Sequence, residues 1–478
     1  MGLKTFTINQ NILATSKHCR LDEKYALFSS IDNWEVFDSK YPQTPLSDFL
    51  EELPIIKYKK GDLVEEMLLV NISDQLQRSG ELETVESVIE IGSDKNDLSE
   101  ADIFVSKLGM PRGYIFLNTY KGQNVIGSTE FIPYKIKSEK YKLYIKYLLL
   151  HSKMLKAYSF LESGKTPSHR RVNPYEFKKI KIPLIPKPKQ DQIIAQIEPI
   201  EKKIKELKAQ ITPPQEVINN VFVREFGFDE NFFNEFGKGM TAGTQIAQNR
   251  TLKVFETDFE DLSRSGIVRF STRFHNPPTK KLMDFLDSIE TLQVKDIVES
   301  YEKGVQPKYN PEGEIPVVKI ANLKNGYIDF SEPEFITEEY YNNLDEKKKL
   351  KQNDIIICST GKISLGKIDF YDYEQDSITT VDNYILRLNE NYNTLFFTYF
   401  FRSILGYFQI ERDYTGATNQ IHLYWEQISN FQIPNISLSK QQKIVDEIKA
   451  ELDKQEKIKS KIESERNKID EIIEKAIK

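Results

Sequence analysis

Phe177-Lys178-Lys179-Ile180-Lys181-Ile182-Pro183 is written again 251 residues later as Ile428-Ser429-Asn430-Phe431-Gln432-Ile433-Pro434. The register holds beyond it, with Gln190 over Gln441 and Ile193-Ile194 over Ile444-Val445. A repeat of that length is too long for a solenoid and right for a duplicated domain. Upstream, Tyr141 to Ser152 lies over Tyr392 to Ser403. Ala101-Asp102-Ile103-Phe104-Val105-Ser106 with Gly109 lies over Asn353-Asp354-Ile355-Ile356-Ile357-Cys358 with Gly361, drifting by one residue as loop insertions allow. Nearer the start, Arg20-Leu21 pairs with Arg273-Phe274, and Leu46-Ser47-Asp48-Phe49 with Val294-Lys295-Asp296-Ile297, on thinner similarity. Gly313-Glu314-Ile315-Pro316-Val317-Val318-Lys319-Ile320 has no clear counterpart in the first copy.

Each copy follows one grammar. Short β-branched and aromatic runs broken by Gly, Asn and Asp, such as Ile315 to Ile320 and Asp354 to Cys358, read as strands of a mixed domain. One helix is expected over Tyr141 to Leu155 and one over Leu395 to Gln409, where apolar residues recur at helical spacing. A polar loop, a short strand ending in Ile-Pro and a long helix follow. Ile193, Ile197, Ile200, Ile204, Leu207 and Ile211 alternate spacings of four and three, the seam of a coiled coil. The same register runs through Ile444, Ile448, Glu451, Gln455, Ile458 and Ile462, then Glu465, Ile469, Ile472 and Ala476. The simplest partner for each helix is the other. The polar positions Glu451, Gln455 and Glu465 weaken the second seam and suit a partner protein as well.

The fold class expected is α+β: two tandem mixed α/β domains separated by two long antiparallel coiled-coil helices, in pseudo-two-fold symmetry. The boundaries are 1–186 for the first domain, 187–211 for its helix, 212–265 for a linker, 266–437 for the second domain and 438–478 for the last helix. Thr212-Pro213-Pro214 stops the first helix because proline cannot continue it. The Phe-rich stretch Val221 to Phe236 covers a domain or a partner and is no free tether.

Composition bounds the function. The 478 residues are 39% hydrophobic and 29% charged, as in a folded globular protein. The net charge of −6 requires any nucleic-acid surface to gather its cations locally. No apolar run approaches a membrane span and the N-terminus opens no signal region, so a cytoplasmic protein without membrane contact is expected. Cys19 and Cys358 are the only cysteines, which leaves no disulfide framework and no structural zinc site.

Few motifs offer catalysis. Gly361-Lys362-Ile363-Ser364-Leu365-Gly366-Lys367 matches a phosphate-binding loop until Ile368, where the hydroxyl for magnesium is missing and a strand replaces the required helix. A turn between two strands is the expected reading. Asn276-Pro277-Pro278-Thr279 lacks the aromatic with which adenine methyltransferases stack a flipped base, and reads as an ordinary turn. No Ser/His/Asp or Cys/His set stands out among five histidines, so neither a catalytic nor a metal centre is expected.

What remains is a binding signature. Lys165, Thr166, Ser168, His169, Arg170 and Arg171, with Lys178 shortly after, form a basic run in a loop after Gly164. Such side chains anchor phosphates and read base edges in the major groove. The matching loop carries Thr415, Thr418, Asn419, Gln420 and His422, whose amides suit adenine. Lys308, Ser359, Thr360 and Lys362 lie in further polar turns that border the same surface. Each loop taken alone could equally be a solvated turn. Their equivalent places in a duplicated chain favour the binding role.

On these residues the chain resembles the specificity subunits of type I restriction-modification systems. The strongest elements are the polar loop, the Ile-Pro strands Ile182-Pro183 and Ile433-Pro434, and the Gln-bearing helix starts at Gln190 and Gln192 and at Gln441 and Gln442. The resemblance implies two target-recognition domains, each reading half of a split double-stranded DNA target, with helix length as the ruler between halves. It also implies two methyltransferase subunits binding S-adenosylmethionine, and restriction subunits using ATP and Mg, with no cofactor on this chain. Competing readings are the specificity subunit of a non-type I system, a fused restriction-modification enzyme, and a coiled-coil scaffold without DNA contact.

Overall fold

Ile103–Ser106 and Ile355–Cys358 are buried at every residue, as expected of strands enclosed on both faces of a sheet. The computed structural model describes residues 34–72, 75–82, 85–164, 170–229, 256–258, 271, 273–331, 333–361, 364–417 and 420–478. Its contacts divide the chain into two units, Met1–Gln210 with Lys459–Lys478, and Ile211–Ile458.

In the first unit the strands are β1 (Gln43–Pro45), β2 (Leu50–Glu52), β3 (Lys57–Tyr58), β4 (Leu63–Val70), β5 (Glu86–Glu90), β6 (Lys95–Asp97), β7 (Ile103–Ser106), β8 (Ile115–Leu117), β9 (Val125–Ser128), β10 (Phe131–Ile136), β11 (Glu162–Ser163), β12 (Arg171–Val172) and β13 (Lys181–Pro183). They form the sheets β2-β10-β7-β8 and β3-β6-β9-β4-β5 and the pairs β1-β13 and β11-β12. The helices are α1 (Lys142–Leu149), α2 (Ser152–Leu161), α3 (Pro174–Lys179) and α4 (Lys187–Lys208).

The second unit repeats this plan with β14 (Thr291–Gln293), β15 (Val298–Lys303), β16 (Ile315–Val318), β17 (Glu334–Ile336), β18 (Ile355–Cys358), β19 (Ile368–Phe370), β20 (Ile378–Thr379), β21 (Asn383–Leu388), β22 (Thr415–Ala417), β23 (Gln420–His422) and β24 (Gln432–Pro434). The sheets are β15-β21-β18-β19 and β17-β16-β20, with pairs β14-β24 and β22-β23. Its helices include α5 (Pro214–Phe226), α6 (Pro277–Ser288), α7 (Thr394–Arg402), α8 (Ile404–Asp413) and α9 (Trp425–Ile428). The last helix, α10 (Leu438–Ile477), starts in the second unit and gives its residues from Lys459 onward to the first.

Backbone pairing bears out the thin similarity of Leu46 to Phe49 with Val294 to Ile297. Leu46 N donates to Ile180 O at 2.8 Å, and Val294 N to Phe431 O at 2.9 Å, so Leu46 and Val294 occupy one place in the plan. The missing counterpart of Gly313 to Ile320 also exists. Strand β4 runs parallel to β9 with Val70 opposite Gly127, as β16 runs parallel to β20 with Val318 opposite Thr379. The identities differ while the backbone role is kept.

Three expectations need correction. Each single helix is two, because His151 and Ser403 adopt extended backbone (ψ 140° and 165°) and cap the second member. The His151 ring accepts from Lys153 N at 3.1 Å. Next, the stretch expected to be a linker contains α5, which Pro214 opens at the first helical position. Helix α5 buries Val217, Ile218, Val221 and Phe222, and Phe222 packs on Phe396 and Phe400 with ring centroids 5.7 Å away. Each such burial contributes about 1.5–3 kcal/mol.

The seam, finally, is shared out. In the second unit α5 runs antiparallel to the start of α10, with Thr212 N donating to Gln455 Oε1 at 2.9 Å and Arg224 paired with Glu447. In the first unit the end of α10 lies beside α4, where Lys203 meets Glu465 at 2.6 Å. Gln455 and Glu465, apolar positions by register, are thus spent inside the chain. Toward the C-terminus the buried apolar residues are Ile469, Ile473 and Ile477, and not Ile472 and Ala476, because the spacing becomes a steady four.

Candidate nucleic-acid interface

One end of the β15-β21-β18-β19 sheet gathers turns that are far apart in sequence. Gly304 N donates to Asn383 O and Val381 N to Val305 O, both at 3.0 Å. Ser359 N and Oγ both donate to Asp382 O at 2.8 Å, and Cys358 N to Lys367 O at 2.8 Å. These bonds tie the segments after β15, before β21, after β18 and before β19 into one row. A Cβ on Gly304 would stand 2.2 Å from Thr380 O, so only glycine lets β15 come this close.

The β22-β23 hairpin docks on this row. Leu423 N donates to Ser359 O at 2.9 Å, Gly361 N to Ile421 O at 3.2 Å, and Thr360 bridges to His422. The 359–361 turn and the 415–422 hairpin are thereby one surface. Gln420 and Thr415 are exposed, and the His422 ring stacks against Tyr424 at 5.9 Å. Lys308, exposed in the turn after β15, lies over the Tyr340 ring at 5.8 Å. Ser359 must be corrected: it is 1% exposed and its hydroxyl is spent on Asp382 O, so it holds the row together and offers nothing outward.

The first unit builds the same feature. Val172 N donates to Lys107 O at 3.0 Å, as Leu423 does to Ser359, and Leu108 bridges to Arg171, as Thr360 does to His422. The side chain before each turn is likewise used alike, Ser106 Oγ on Leu108 O at 2.7 Å and Cys358 Sγ on Thr360 O at 3.2 Å. Arg171 therefore stands where His422 stands. Its guanidinium is held by Glu130 through Nε at 3.0 Å and Nη2 at 2.8 Å, which ties β12 to the turn before β10. Lys178, on α3, is paired with Glu52 at 2.7 Å. Both cations are committed to structural carboxylates, which spacing could not disclose. Arg170 is half-buried beside them. Lys165, Thr166, Ser168, His169, Lys362, Thr418 and Asn419 lie outside the described residues, as do Arg20 and Leu21.

The two motifs set aside by sequence are structural. Around Gly361 to Lys367, Ser364 N and Leu365 N donate to Gly361 O, Gly366 N to Cys358 O and Lys367 N to Ser364 O. Among the described residues of the turn these amides are consumed within the fold and are not offered to a nucleotide phosphate. Asn276 to Thr279 begins α6, with Asn276 at the cap, and is a helix start where an ordinary turn was expected. Burial pushes the Cys358 thiol up to about 11, which disfavours a thiolate nucleophile. Among the described residues no group of His, Cys, Asp or Glu is placed to hold a metal ion, and no helix is long and apolar enough to cross a membrane.

Sequence reasoning missed Asp369, beside the row on β19. Burial pushes its carboxyl up to about 6, against the pull of the Arg402 guanidinium and the backbone N–H groups of Gly326 and Asn325. A folded value above the ordinary carboxylate value means that stability is fully present below about pH 4 and is lost as pH rises through about 6. Thermal melts should therefore show wild type gaining on Asp369→Asn by about 2–3 kcal/mol as pH falls across that window. A difference independent of pH would contradict it.

Residues 52–213 and 287–468 match the family described as Type I restriction modification DNA specificity domain. Comparison with curated proteins gave no match. Among solved structures, the chain is similar to one reported for complex assembly and conformational transition of the type I R-M system, with 13% identity, a TM-score of 0.38, and 92% of this chain and 98% of that one covered. It is also similar to the type I S subunit from M. genitalium, at 14% identity and TM-score 0.38, covering 92% and 97%. The HsdS subunit from Thermoanaerobacter tengcongensis follows, at 13% identity and TM-score 0.31, covering 91% and 96%. With the family matched twice, once in each copy of the repeat, the chain belongs to the type I restriction-modification DNA specificity family and is a DNA-recognition subunit.

Proposed function

We propose that each unit reads one half of a bipartite duplex target through its docked hairpin, β11-β12 in the first and β22-β23 in the second. The observation that carries this reading is the matched docking of two hairpins whose side chains differ: Val172 N and Leu423 N make corresponding backbone bonds, and the corresponding bridge holds Arg171, spent on Glu130, in one copy and His422 in the other. A conserved mount with unequal chemistry is what two readers of different half-sites require. In the second unit the contacting groups are Gln420, His422, Thr360, Thr415 and Lys308, with Lys362, Thr418 and Asn419 in the adjoining segments. In the first they are Arg170 and the 165–169 loop.

The chain itself carries no catalysis in this proposal. Methyl transfer belongs to two modification subunits holding S-adenosylmethionine, and cleavage to restriction subunits using ATP and Mg. The deciding experiment is base-resolution methylation of the host genome with and without the gene. Loss of one bipartite motif supports the proposal, and an unchanged methylome refutes it. Within that assay, Gln420→Ala should weaken recognition about 5- to 150-fold at positions in one half of the motif, the equivalent of about 1–3 kcal/mol for one base contact. Equal effects in both halves would remove the hairpin from the readers.

A further inference from the structure

The connection between β16 and β17 ends in a tight turn. Leu323 pairs with Ile328, Lys324 N donates to Tyr327 O at 3.1 Å, and Asn325 at the tip is left-handed with φ 55°. That tip is fastened to the end of β19. The Asp369 carboxylate, 1% exposed, accepts from Asn325 N at 3.0 Å and from Gly326 N, while Asn325 Oδ1 accepts from Ile368 N at 3.2 Å. Lys324 and Tyr327 are thus exposed on a fixed turn beside Lys367, whose own carbonyl belongs to the row that carries the reading hairpin.

The charge there is unbalanced. Three cations, Lys324, Lys367 and the Arg402 guanidinium lying against Gly326, face two carboxylates, Asp369 and Asp329. Lys324 reaches Asp329 only at 3.7 Å in a partly exposed pair, which is weak. Lys367 makes no ion pair among the described residues. Burial pushes its ammonium below the ordinary value, and the charge of Lys324 pushes it further. A phosphodiester supplies the missing negative charge.

We infer that the Lys324–Tyr327 turn and Lys367 form a phosphate-gripping ridge that holds the DNA backbone beside the second hairpin, an inference that rests on the hairpin being a reader. The ridge positions the duplex and reads no bases. Its signature is a contribution to binding that is equal for all sequences and steeply dependent on salt, because each neutralised phosphate releases counterions.

The test uses the full chain with its modification subunits and a mixed-sequence duplex lacking the target. Binding is followed against salt concentration for wild type, Lys324→Ala, Lys367→Ala and Gln420→Ala. Each lysine variant should flatten the logarithmic salt slope by about 0.9, and Gln420→Ala should leave it unchanged. The methylated motif should stay the same in both lysine variants. Lys324 is exposed, so its variant decides the matter if Lys367→Ala fails to fold. Wild-type binding with an unaltered slope in Lys324→Ala overturns the ridge while sparing the hairpin reading. A wild-type complex that binds no duplex overturns both.

Discussion

Truncation after Ile458 is expected to unfold the first recognition unit and leave the second folded. The last helix belongs to the first unit from Lys459 onward. There it buries Ile462, Ile469, Ile473 and Ile477, at 8% exposure or less. Each isoleucine contributes about 1.5–3 kcal/mol, so their removal costs on the order of 6–12 kcal/mol, as much as the whole stability of an ordinary domain. The loss would be compounded by the Ile477 carbonyl, which accepts from Lys40 N at 3.0 Å and Ser39 Oγ at 3.2 Å near the start of the described chain. Hydrogen exchange on the truncated chain checks this directly. Protection should vanish from β7, β10 and α4 and persist in β18, β21 and α7. Retained protection in β7 would show that the first unit stands without its C-terminal strap. If the prediction holds, the first unit cannot complete its fold until residues 459–478 have been synthesised.

The second large effect is expected at Arg78, the residue on which that strap is fastened. Its side chain is 10% exposed and donates to Leu150 O at 2.9 Å, Glu463 at 2.6 Å and Asp470 at 2.6 Å. Asp470, on α10, also accepts from Ser152 N at 3.1 Å, so the carboxylate that holds the arginine also ties the start of α2 to α10. Arg78→Ala strands Asp470 at 11% exposure without its cation. Removing one partner of a largely buried pair costs about 3–5 kcal/mol, far more than an exposed pair would. The unfolding midpoint of the first unit should fall accordingly, and Arg78→Ala combined with Asp470→Ala should cost much less than the sum of the two. Strict additivity would mean that the two side chains do not act as a pair.

How the site was legible follows from which interactions are local. The hairpin loops could be found because their place relative to Ile182-Pro183 and Ile433-Pro434 repeats along the chain. The counterpart of Ile315 to Ile320 could not, because a parallel strand is recognised by its partner, and β4 on β9 has the same pairing as β16 on β20 with hardly any residues in common. The Lys324–Tyr327 turn carries a usable local signal, the pair Asn325-Gly326 with Leu323 and Ile328 on its two sides. Asp369 had none, since a lone carboxylate in a strand announces neither its burial nor the amides it holds.

The amino-acid sequence by itself determined the duplication, the order of strands and helices around β7 and β18, the long apolar seams and the family. These are properties of spacing and period, which local chain geometry converts directly into structure. Only the tertiary structure decided which polar residues remain available to DNA. Arg171 is committed to Glu130 across 41 residues, Lys178 to Glu52 across 126, and Ser359 to Asp382 across 23. A charged or hydroxyl side chain takes its role from whichever group folding brings within hydrogen-bond reach, and that group is not written beside it in the chain.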